Sequence, residues 1–153
     1  MPQDHEHDHE DLDEARSAEL DEYVRTGTAQ LEAGDDDAAL ASFQAGLDIL
    51  PDPKHKWVAA TWLYASVANI HFDAKRWQEA RDNFAAAADA PSGLSNAFIK
   101  LRLGQAEYEL GNMPEAARHL LFAEMRGPRG LFDDEDQKYR DLLEQTKKEL
   151  TSS

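Results

Sequence analysis

Between Leu103 and Ala123 the chain reads LGQAEYELGNMPEAARHLLFA, and this stretch leaves few folds open. Leu103, Gly104, Tyr108 and Leu110 recur at the three- and four-residue steps of one helix face. So do Met113, Ala116, Leu120 and Ala123. A strand would need a two-residue alternation, which is absent here. Gly111-Asn112 breaks the first helix, because glycine favours a turn over a helix interior. Small side chains at Gly104 and Ala116 let the two backbones approach closely. The stretch therefore specifies a helical hairpin.

The same hairpin is written three times. Gly34, Ala39 and Phe43 share their spacing with Lys75, Ala80 and Phe84, and with Gly111, Ala116 and Leu120. The alanines lie 41 and 36 residues apart. Units that recur in phase near this length form a helical solenoid, in which each unit buries its apolar face only against its neighbours. The predicted class is all-α. A first helix starts at Leu12 and carries Leu20, Tyr23, Val24, Gly27 and Leu31. Asp35-Asp36-Asp37 suits the start of the second, and Pro51-Asp52-Pro53 stops it. A third spans Lys54 to Ala74, with Trp57 at its start, and a fourth runs from Trp77 to Ala88. A fifth begins near Ser95, a sixth follows Asn112, and a last helix covers 133–150 beyond the helix-hostile Arg126–Gly130. The units are expected at about 20–53, 54–93 and 94–128, within one domain over 12–150.

Charge narrows the partners. Net charge is −15, and ten of the acids fall in the first 22 residues beside a single Arg. A phosphate backbone needs a basic footprint, so this balance argues against DNA or RNA and favours a partner with basic character. Residues 1–11, MPQDHEHDHED, lack the apolar surface to pack and are expected to be a disordered tail. His5, His7 and His9 alternate there with carboxylates and are weak metal candidates, since nothing pre-forms a geometry. The chain has no cysteine, so it has no disulfide or thiolate metal site. It shows neither a leader pattern nor a membrane-length apolar run, and a cytoplasmic location without a membrane partner is expected.

The repeat resembles the tetratricopeptide repeat (TPR) family over roughly residues 20–125, with the following helix in the place of the family's cap. Leu103-Gly104, Gly111, Ala116 and Ala123 match its pattern in the third unit. Ala80, Phe84 and Ala87 match it in the second, and Gly27, Gly34, Ala39, Phe43 and Pro51 in the first. The resemblance implies that the first helix of each pair lines a concave groove for a partner protein segment. On that pattern the inner positions are Asp21, Val24, Arg25, Thr28 and Leu31 in the first unit. The second offers Trp62, Ala65, Ser66, Asn69, Phe72 and Asp73, and the third Phe98, Leu101, Arg102, Gln105, Tyr108 and Glu109. Binding through Trp62, Asn69, Phe72, Asp73, Phe98, Leu101, Arg102, Gln105, Tyr108 and Glu109 is the resulting expectation.

The family's chaperone-tail clamp is not reproduced. Its positions hold Val24, Thr28, Ser66, Phe98 and Arg102, of which only Arg102 can grip a carboxylate. No phosphate loop, HExxH or nucleophile elbow occurs, so neither an enzyme nor a cofactor is expected. The leading functional reading is an adaptor. The short array and the run RGPRGLFDDED from Arg126 to Asp136 also resemble small bacterial TPR proteins encoded beside secreted toxins. That resemblance implies an alternative, an immunity-type neutraliser.

Overall fold

The computed structural model describes residues 12–91, 93 and 96–152. The tail with His5, His7 and His9, and Ser95, lie outside them. Among the described residues there are seven α-helices: α1 (Glu14–Glu32), α2 (Asp36–Asp48), α3 (Val58–Asp73), α4 (Trp77–Asp89), α5 (Ala97–Glu109), α6 (Met113–Arg126) and α7 (Gln137–Thr151). They form three antiparallel pairs, α1/α2, α3/α4 and α5/α6, followed by α7. No described helix is long and apolar enough to cross a membrane.

Local chemistry sets the ends. Asp13, Asp35 and Asn96 accept hydrogen bonds from the backbone N–H three residues on, at 2.8, 3.2 and 3.1 Å. Each satisfies a donor that the first helical turn leaves unpaired. The three hairpin turns are copies of one another. Asp35, Arg76 and Asn112 each donate a backbone N–H to the carbonyl five residues back, at 2.9 Å. The residue before each is left-handed: Gly34 at φ 82°, Lys75 at φ 62° and Gly111 at φ 83°. This closure requires a left-handed residue, which glycine adopts without a Cβ penalty. Lys75 bears that penalty. Lys75→Gly is therefore expected to stabilise the fold by about 0.5–1 kcal/mol, read as a raised urea midpoint.

The crossings follow the repeat. Ala39, Ala80 and Ala116 are fully buried, and Phe43, Phe84 and Leu120 pack one helical turn on. A Cβ on Gly27 would come within 2.7 Å of the Phe43 ring, and one on Gly104 within 2.9 Å of Leu120. Among the described residues the core is three clusters, each spanning a junction between units. Leu20, Phe43, Leu63 and Val67 join α1, α2 and α3. Ala68, Phe84, Ile99 and Leu103 join α3, α4 and α5. Leu101, Leu120, Phe132, Tyr139 and Leu143 join the last pair to α7. Junction cores of this kind are how a solenoid is held together.

Three helix starts differ from the sequence reading. The first helix starts at Glu14, not Leu12, because Asp13 caps it. The third helix starts at Val58, not Lys54: Lys54–Lys56 form a 3₁₀ turn, and Trp57 is extended at φ −91°, ψ 134°. The Trp57 indole donates to the Pro51 carbonyl at 2.8 Å, tying the turn to the end of α2. The last helix starts at Gln137, not 133. Asp136 caps it by accepting from Lys138 N at 3.2 Å, while 128–135 run as an irregular arm ahead of it.

Candidate functional site

The inner positions divide into an open part and a closed part. Trp62 on α3 is 39% exposed and Phe98 on α5 is 44% exposed. Trp62 meets the Phe43 ring edge-on at 6.0 Å, so it is packed on that side and turns about two-fifths of its surface to solvent. Phe72 is half-buried against Trp77 and Phe84, at centroid distances of 5.1 and 6.2 Å. Asn69 is half-buried, and Asp73 and Leu31 are exposed.

Arg102 connects Phe72 to Phe98. Its guanidinium lies 4.9 Å from the Phe72 ring centre and 5.1 Å from that of Phe98, so one cation bridges α3 and α5. The same nitrogen, Nη1, donates to Gln105 Oε1 at 2.6 Å and Glu135 Oε1 at 3.1 Å. Gln105 Nε2 donates to that Glu135 oxygen at 2.5 Å. Arg102, Gln105 and Glu135 thus form a closed polar triangle, whose carboxylate comes from the arm before α7.

The rest of the third unit is covered by α7. Tyr139 Oη donates to Glu109 Oε2 at 2.6 Å, and Lys138 Nζ pairs with the same oxygen at 2.7 Å. Tyr108 meets the Tyr139 ring edge-on at 5.3 Å. Burial, then the hydrogen bond to Glu109 and its negative charge, push the Tyr139 phenol well above its usual range, so it remains a donor.

Two expected contact residues are thereby corrected. Leu101 is buried in the core with Phe132 and Leu143, and Gln105 is 0% exposed. Neither meets solvent, because the arm and α7 fold back over their side of α5. Arg102, Tyr108 and Glu109 remain half-buried but bond within the chain. Trp62, Phe98 and Asp73 keep open surface. Sequence reasoning missed Glu135, Lys138 and Tyr139 as the groups that close the third unit. The available signal was the acidic run Asp133–Asp136, which holds more carboxylates than one helix cap uses.

His71 and His119 are both buried. His71 Nδ1 accepts from Arg76 Nε at 2.8 Å across the α3/α4 turn. Burial first, and the Arg76 charge second, lower its pKa, so the ring is neutral and can accept.

No family model matches the sequence, and no curated protein matches it at a significant level. The fold is similar to the C-terminal TPR-containing domain of a Plasmodium falciparum protein described as FK506-binding, with a TM-score of 0.66. The alignment covers 94% of this chain and 97% of that one, at 16% identity. At that identity the likeness is one of fold, and the architecture is an all-α solenoid of the TPR type.

Proposed function

We propose that the chain is a non-catalytic interaction module that holds a segment of a partner protein on the inner face of α1, α3 and α5. Trp62 and Phe98 anchor the segment, and Asp73 with the general acidity selects basic flanks. One observation carries the reading. Large aromatic side chains are fully buried at the crossings, at Phe43 and Phe84, while Trp62 and Phe98 leave two-fifths of their surface in water on neighbouring first helices. Exposed aromatic side chains are frequent carriers of interface energy, and Arg102 lies against the Phe98 ring. A chaperone-type carboxylate is a poor ligand for this surface, because Arg102 is already paired with Glu135 at 3.1 Å.

The test is partner capture by the full chain, compared with Trp62→Ala and Phe98→Ala. Each change should weaken partner binding by at least about tenfold, in keeping with hot-spot truncations. Far-UV circular dichroism should be unchanged, because both rings are partly solvated. Removing residues 1–11 should leave the interaction intact. A partner retained equally by the double variant would refute the assignment. A captured partner whose toxic activity stops on binding would make the module a neutraliser.

A further inference from the structure

We propose that Glu107, Glu115 and His119 form a binding site for a divalent transition-metal ion of the zinc class. The three residues come from the two helices of the third hairpin, on the side of α5 that faces α4 and α6. Each offers one ligand atom, and these atoms lie within 4.8 Å of one another. Glu115 and His119 are four residues apart on α6 and so share a face.

The donors are already arranged as ligands usually are. Glu107 is 6% exposed and takes two hydrogen bonds on one oxygen: Arg81 Nη1 donates to Oε1 at 3.2 Å and Asn112 Nδ2 at 2.9 Å. Its other oxygen accepts from no described residue. Glu115 likewise gives Oε2 to Arg118 and keeps Oε1 open. His119 is 7% exposed, and no described residue hydrogen-bonds to its imidazole. Its ring nitrogens keep contact with solvent, so they are open to an incoming ion. Outer donors holding a carboxylate by one oxygen while the other points inward are a recurring feature of metal sites.

The donor set suggests the class of ion. One imidazole and two carboxylates suit zinc, cobalt or nickel, and three protein ligands leave a position for water. Tetrahedral ligation places ligand atoms roughly 3.3 Å apart, so the cluster must contract by about 1.5 Å. The exposed Glu115 side chain can supply that movement. Arg81 and Arg118 offset the charge of the two carboxylates. The affinity therefore rests on direct bonds and should be modest, in the micromolar range.

The test uses the full chain with His5, His7 and His9 replaced by Ala, which removes the tail as a competing chelator. Zinc alone, at about a hundredfold over its dissociation constant, should raise the thermal midpoint by about 5–10 °C. His119→Gln in that background should abolish the rise. Glu115→Gln should weaken zinc binding at least about tenfold in calorimetry, and its exposed position keeps the fold intact as a second readout. No zinc-dependent shift in the tail-substituted chain, or a shift undiminished in His119→Gln, would overturn the assignment.

Discussion

Phe84→Ala is expected to destabilise the protein by about 3–5 kcal/mol, a large share of the total for a domain of this size. The ring is fully buried on α4 and packs with Ala68, Ile99 and Leu103, which belong to the helices before and after it. It also meets the Phe72 ring edge-on at 6.2 Å. Alanine would remove the ring from between two units rather than from within one. A solenoid is only as cooperative as its junctions, so the loss falls on the coupling between the second and third pairs. With a urea slope of about 2 kcal/mol/M, the midpoint should drop by roughly 1.5–2.5 M. The transition should also broaden as the halves begin to unfold separately. Phe84→Leu keeps most of the volume and should recover most of the loss. A cost below about 1 kcal/mol would mean that the second junction closes without this ring.

Phe84 was legible because its requirement is local. A helix crossing needs a small residue and a large one a turn away, and Ala39/Phe43, Ala80/Phe84 and Ala116/Leu120 satisfy it in phase. All six are buried in the structure. The turn at Lys75 could be placed by analogy with Gly34 and Gly111 although it lacks glycine, because hydrogen bonding fixes its geometry and the side chain only makes it easier. The closure of the third unit could not be read this way. Periodicity assigns Leu101, Gln105 and Tyr108 to faces of α5, but it does not say which later segment will cover a face. That depends on where the irregular arm before α7 travels, and such a path leaves no periodic trace. The cluster at Glu107 and His119 escaped for a similar reason, since its members join only when α5 and α6 pack.

Glu135→Ala is expected to cost about 2–3 kcal/mol and to loosen α7 first. Glu135 Oε1 is the shared acceptor for Arg102 Nη1 at 3.1 Å and Gln105 Nε2 at 2.5 Å. Gln105 is fully buried, so removing the carboxylate leaves an amide donor in the interior without a partner, a penalty of roughly 1–3 kcal/mol. The ion pair itself contributes less than a sealed one, because the Arg102 and Glu135 side chains keep 24% and 18% of their surface. Glu135→Gln separates the two effects. It retains an oxygen for Gln105 but drops the charge, and should cost about half as much. A double-mutant cycle with Arg102→Met should give a coupling of about 1 kcal/mol or more. The loss should be regional: amide exchange in α7 should quicken before that in α3 or α4, since the arm ties α7 to α5. Releasing the arm would also expose Tyr108 and Glu109, now engaged by Tyr139 and Lys138. The variant should therefore gain inner surface as it loses stability, with a partner bound through Trp62 and Phe98 held no more weakly than before. Uniform acceleration of exchange across all helices would show that Glu135 acts on the whole array rather than on its last junction.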